Sequence, residues 1–126
     1  DDLVMLRDIP LESTCEHHMA PIRGRVHIAY QPNAKVVGIS KLARLVDAYG
    51  RRLQIQERLT AELADALDYS LKPRGVAVIV EAAHACMSSR GVRKHAAKLI
   101  TRAFRGVYAD ATPRREVLDL LRRNDG

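Results

Sequence analysis

"KHAAKLITRAFRGVY", Lys94 to Tyr108, is the stretch on which the fold turns. Ala97, Ile100 and Phe104 recur at helical spacing, while Leu99, Thr101, Ala103 and Arg105 alternate as in a half-buried strand. Periodicity alone does not choose between them. The segments on either side are plainer, and they supply the frame into which this one must fit.

Just upstream, "VAVIVEAAHACM" (Val76 to Met87) is too rich in β-branched residues at its start to be anything but a buried strand. It carries His84 and Cys86, two apart, to one face, and "KPRG" before it is a turn. Near the start of the chain, "LVMLRDIPL" (Leu3 to Leu11) and "GRVHIAYQP" (Gly24 to Pro32) also read as strands. Between these strands the period changes. Leu42, Leu45, Val46 and Tyr49, then Leu53, Leu59, Leu63, Ala66 and Leu67 after the Gly50 interruption, predict helices over about 40–49 and 52–70, with Ser40 as the cap of the first. "TPRREVLDLLRR" predicts a terminal helix with Thr112 as N-cap and Pro113 in its first turn. The order is strand, strand, helix, helix, strand, the undecided segment and helix, without repeats or low-complexity linkers.

A chain of 126 residues, 47% apolar, suffices for one domain with a real core, and residues 1–126 are read as a single unit. No run of apolar residues approaches a membrane span, and "DDLVMLRDIP" lacks the pattern of a secretion signal, so the expectation is a soluble chain with no membrane partner. The net charge of +6 asks for an anionic partner: nucleic acid, a membrane surface or a phosphorylated small molecule. Aromatics at 4%, none of them interleaved with a basic stripe, argue against a platform for stacking single-stranded nucleic acid.

The densest chemistry lies in "STCEHHMAP", Ser13 to Pro21. Cys15 and His18 are close enough to aim a sulfur and an imidazole nitrogen at one ion, and Cys86 offers a second sulfur. Two cysteines and a histidine leave a tetrahedral ion one ligand short, as in a catalytic zinc site; a closed site with His17 or His84 as fourth ligand is the alternative. Histidines crowded around both cysteines favour reduced ligand sulfurs over a disulfide, hence a cytoplasmic location. Glu16 is either an orienting partner for an imidazole or a solvated turn residue, whereas His27 and His95 read as bland. In "SKLAR", Ser40, Lys41 and Arg44 are either a phosphate-facing helix start or an ordinary cap with solvated cations. Arg90, Arg93 and Lys94 in "SSRGVRK" are a phosphate clamp or a solvated loop, and Gln54, Gln56 and Glu57 in "QIQERLT" default to an exposed helix face.

Taken together, "CEHHMAP", "HIAYQP", "VVGISKLARLVDAYGRRLQIQERLT" and "HACMSSRGV", in this order and spacing, resemble GTP cyclohydrolase I, over about Val4 to the end of the chain. The resemblance implies an α+β tunnelling fold (T-fold): a four-stranded antiparallel sheet with two helices packed on one face, assembled into an oligomeric barrel. It implies a homo-oligomer, usually a decamer of two stacked pentamers, with active sites at subunit interfaces. It also resolves the undecided segment as a strand over about 97–107. This chain departs from the family there, since "AAKLITRAFRGVY" stands where a strand rich in serine and threonine is usual. Ile22 replaces the usual aromatic after "CEHHxxP", and the family's N-terminal helical segment is absent from these residues.

Carried over at matching positions, the resemblance implies Cys15, His18 and Cys86 as zinc ligands. His84 would protonate the imidazole ring of the guanine while zinc-activated water attacks carbon 8. His17 would assist ring opening and the later sugar rearrangement, with Ser40 nearby. Gln56 and Glu57 would hold the guanine edge, and Lys41, Arg44 and Arg90 the triphosphate. The implied substrate is GTP, and the products are formate and 7,8-dihydroneopterin triphosphate, at the first step of tetrahydrofolate and pterin biosynthesis. Two other readings remain: a sister enzyme of the same fold acting on another purine or pterin, and a zinc-stabilised nucleic-acid-binding module. The first is disfavoured by "CEHH" with "HAC"; the second would show a closed zinc site and steeply salt-dependent affinity without turnover.

Overall fold

The computed structural model describes residues 2–15, 21–34, 37–84 and 97–123. Its elements are β1 (Val4–Cys15), β2 (Pro21–Gln31), α1 (Ile39–Gly50), β3 (Leu53–Gln54), α2 (Gln56–Leu71), β4 (Gly75–His84) and β5 (Leu99–Gly106). A 3-10 turn over Val107–Ala109 then leads into α3 (Ala111–Arg123). Among the described residues one sheet holds every strand, in the order β3-β1-β2-β4-β5. The pairs β1/β2, β2/β4 and β4/β5 are antiparallel, and only the two-residue β3 runs parallel, alongside Thr14 and Cys15 of β1.

The undecided segment is therefore a strand. Its Leu99 to Gly106 pair residue by residue with Ala82 to Gly75, so backbone groups of β4 that would otherwise be orphaned find partners. Ala103 of β5 joins the main core, whereas Phe104 packs on the opposite face, which is the alternation the strand reading required.

The main core lies between the sheet and the pair α1 and α2. Ile22, Val26, Ile28 and Tyr30 of β2 and Val76, Val78, Val80 and Ala82 of β4 face Leu42 and Val46 of α1 and Leu59, Leu63, Leu67 and Leu71 of α2. The helical positions follow the three-and-four spacing of an amphipathic helix. The other face of β4, through Ala77 and Ile79, packs with Ala29, Tyr108 and Val117 beneath α3. Burial on both faces explains why β4 reads as an unbroken apolar run rather than an alternating one. Each fully buried Leu, Ile or Val contributes about 1.5–3 kcal/mol relative to exposure, so this double-faced strand is the backbone of the domain.

Three helix starts differ from the sequence expectation. The helix read over 52–70 begins only at Gln56, because Leu53 and Gln54 pair with β1 and the Ser13 hydroxyl donates to the Arg52 carbonyl at 3.3 Å. Ser40 does not cap α1: Gly38 is the N-cap, with the Lys41 N–H donating to the Gly38 carbonyl at 3.1 Å, and Ser40 sits exposed within the first turn. Thr112 is likewise inside α3, which starts at Ala111, with the Arg114 N–H donating to the Asp110 carbonyl. In both cases a cap-type residue lies one or two places into the helix, where its side chain is not needed.

One glycine is required by a close approach. A Cβ on Gly24 of β2 would collide with the Glu81 carbonyl oxygen and lie 2.6 Å from Ala82 Cα, so the β2/β4 pairing at this level tolerates no side chain.

Candidate active site

β1 and β4 run in the same direction, and both end at the same end of the sheet. Cys15 closes β1 and His84 closes β4, opposite Ile22 of the intervening β2, which in turn faces Ser13. The parallel pairing of β3 to Thr14 and Cys15 brings the chain to this end and turns it directly into α2. The first residues of α2, Gln56 and Glu57, are thereby delivered beside His84. An open cleft of about 270 Å³ lies at this end too, lined by Glu12, Ser13, Thr14, Pro21, Arg23, Gly50 and Arg51.

Glu57 is exposed in the first turn of α2, where a carboxylate is favoured by the helix dipole. Its charge is felt at His84. Burial lowers the His84 pKa from the ordinary value of 6.5, and the Glu57 carboxylate pulls it part of the way back. The two side chains therefore share one electrostatic environment although they are 27 residues apart in sequence.

Gln56 behaves quite differently from its neighbour. It is 0% exposed, and its amide is engaged entirely with the protein. Nε2 has two hydrogens and donates to the Leu99 carbonyl at 2.9 Å and to Thr101 Oγ1 at 3.0 Å, with the Val80 carbonyl at 3.3 Å sharing one of them. Oε1 lies 2.8 Å from His84 Nε2. Thr60, one turn along α2, donates to the Gln56 carbonyl at 2.8 Å, and its Oγ1 is 2.7 Å from that of Thr101. In this structure the Gln56 side chain is thus turned inward, with β5 closed over it, and its amide is bonded within the protein instead of lying open to a guanine edge as expected. Thr60 and Thr101 were not singled out from the sequence, although Thr60 stands four residues after Gln56, the spacing that puts both on one helix face.

Ser40, Lys41 and Arg44 are exposed on the first turns of α1, at the opposite end of the sheet. The Val37 N–H, just before this helix, donates to the hydroxyl of Tyr30, whose strand position pairs with Val4 and Val76 rather than with the His84 end. α1, 12 residues long, then spans about 18 Å before Gly50 reaches Glu12. Within one chain these three residues do not meet His84 and Glu57. His17, His18, Cys86 and Arg90 lie outside the described residues, and among the described residues no cluster of three or more His, Cys, Asp or Glu could hold a metal ion. The donor set Cys15, His18 and Cys86 is nevertheless of the right chemistry for zinc, and it is tethered to the ends of β1 and β4, which leave the sheet together.

His27 is a satisfied core histidine. It is 2% exposed, with Nδ1 accepting from the Asp8 N–H at 3.1 Å and Nε2 lying 2.8 Å from Glu81 Oε2.

The fold has known company. A crystal structure of the archaeosine synthase QueF-Like in its apo form superposes with a TM-score of 0.69, covering 84% of this chain and 95% of that one at 24% identity. The architecture is that of the tunnelling fold. The sequence profile described as GTP cyclohydrolase I matches residues 1–122. A GTP cyclohydrolase 1 of Nostoc sp. is 54% identical over 98% of this chain, and one of Streptomyces coelicolor is 52% identical over 96%. By this match over nearly its whole length and by these identities, the chain belongs to the GTP cyclohydrolase I family. It spans 58% of the Nostoc protein's length and 61% of the Streptomyces protein's. No helix among the described residues is long and apolar enough to cross a membrane.

Proposed function

We propose that this chain is the catalytic unit of a GTP cyclohydrolase I, an enzyme that opens the imidazole ring of GTP, releases carbon 8 as formate and rearranges the remainder to 7,8-dihydroneopterin triphosphate. The observation that carries the proposal is the convergence of His84 and Glu57 at the sheet end where Cys15 closes β1, in a chain of this family.

Cys15, His18 and Cys86 would hold zinc, whose Lewis acidity makes a nucleophile of water near neutral pH. His84 gives a proton to the imidazole ring of the base as water adds at carbon 8. Burial lowers its pKa, which makes its imidazolium a readier acid than an ordinary one, and the Glu57 carboxylate opposes that shift. The exposed Glu57 carboxylate accepts hydrogen bonds from the donor-rich edge of guanine, a contact that an analogue lacking those donors cannot make. Lys41, Arg44 and Arg90 bind the triphosphate, and His17 with Ser40 assists ring opening and the rearrangement of the sugar.

Lys41 and Glu57 belong to one site only if two copies meet, the α1 start of one against the α2 start of the other. The sheet favours such a meeting. Among the described residues β5 has no strand on its outer side, and β1 is covered only at Thr14 and Cys15, so both edges are open to pairing with a further copy. We therefore place the sites at subunit interfaces of a homo-oligomer, a barrel of stacked pentamers, working in the cytoplasm where its cysteines stay reduced. The test is incubation of zinc-loaded protein with GTP, following formate and pterin triphosphate by mass spectrometry. Both products, lost on chelation and regained with zinc, are expected; GTP left untouched by zinc-loaded oligomer would overturn the proposal.

A further inference from the structure

The hydrogen bonds around Gln56 have a fixed direction. Two of the groups facing its Nε2, the carbonyls of Val80 and Leu99, can only accept. Rotating the amide by half a turn would set Oε1 against both carbonyl oxygens and bury the NH2 group away from them, so the orientation is decided by the backbone. Oε1 consequently faces His84, and since it can only accept, His84 Nε2 must carry a hydrogen. The hydroxyls follow the same logic. Thr60 spends its hydrogen on the Gln56 carbonyl, so Thr101 must donate to Thr60 while accepting from Gln56 Nε2. The chain runs one way, from His84 through Gln56, Thr101 and Thr60 to the helix backbone.

We infer that Gln56 is a positioning residue for His84 and not a substrate contact: it holds the ring by Nε2–H, leaving Nδ1 as the nitrogen that exchanges protons with substrate. Thr101 and Thr60 in turn hold Gln56. The inference rests on the reading of His84 as the proton donor to the substrate's imidazole ring. In that step the doubly protonated ring gives its Nδ1 proton to a ring nitrogen of guanine and returns to the neutral form with Nε2–H retained. A buried, fully committed amide that fixes the orientation of an imidazole acts as the outer partners of metal-ligating histidines do, by setting tautomer and aim.

The test uses zinc-loaded oligomer. Gln56→Met keeps the volume and removes every hydrogen bond. The expected result is a fall in kcat of about tenfold or more with KM for GTP within about twofold, whereas a lost guanine contact would raise KM at unchanged kcat. The second readout is solid-state nitrogen-15 NMR of histidine-labelled protein, with the His84 signals assigned by their loss in His84→Asn. Wild type should carry its ring hydrogen on Nε2 alone, and Gln56→Met should show both tautomers. Should Gln56→Met not fold, Thr101→Val leaves both backbone carbonyls to Gln56 and should lower kcat several-fold, with Thr101→Ser restoring it. A wild-type ring protonated at Nδ1, or a pure KM effect, overturns the inference. Locked Nε2–H in a protein that consumes no GTP would overturn the function proposed above while leaving Gln56 as the anchor of His84.

Discussion

Gln56 and Glu57 are adjacent in sequence yet meet opposite surroundings. A step of one residue around a helix turns the side chain by about 100°, enough to carry Gln56 under β5 and leave Glu57 in solvent. Their identities were legible in the sequence; which of them faces inward was not, because that depends on where β5 lies. Glu57→Gln tests the exposed half of the pair. It should lower kcat/KM for GTP by about a hundredfold, since an amide presents a donor to an edge that is itself made of donors. The melting temperature should stay within about a degree of wild type, because the side chain is exposed and outside the core. A rate at low substrate equal to wild type would take Glu57 out of the site.

At the scale of elements, β5 and the corner after it show how context overrides local preference. "AAKLITRAFRGVY" fits two periods, and the choice is made by the vacant backbone groups of β4, which only a strand can satisfy along their whole length. Gly106 then takes φ +64°, with its Cα hydrogen against the Arg74 carbonyl, and sends the chain into the turn that buries Tyr108 beneath α3. Burial raises the Tyr108 pKa above the ordinary phenol value of 10.0, and the neighbouring Glu116 carboxylate raises it further. The folded protein thus keeps this proton at pH values where the unfolded chain has begun to lose it. Stability is fully present below about pH 10 and falls as pH climbs toward the folded pKa. Tyr108→Phe has no such proton to lose, so its melting temperature should rise relative to wild type as pH goes from about 9 to about 11. A constant difference between the two proteins across that range would count against a buried phenol. The end caps belong to this scale as well: Ser40 and Thr112 have the right chemistry for capping, but the helices begin earlier because the preceding backbone already supplies the bonds.

For the whole molecule, the separation of Lys41 from Glu57 by the length of α1 makes a quantitative expectation available. Lys41→Ala and Glu57→Ala chains should each form nearly inactive oligomers. Co-assembled in equal amounts, they should recover roughly a quarter of the wild-type rate, because random pairing regenerates sites whose two halves are both intact. No recovery after verified subunit exchange would mean that each site is built from a single chain. The family, the presence of the two Cys/His segments and most of the helix and strand order were determined by the sequence alone, because side-chain type and period are local properties. The tertiary structure decided that β5 is a strand, that Gln56 is spent on holding His84, and that Lys41 lies far from Glu57 in one chain. Those three facts depend on which backbone groups and surfaces are brought face to face by long-range pairing, and no local pattern records the partner it will meet.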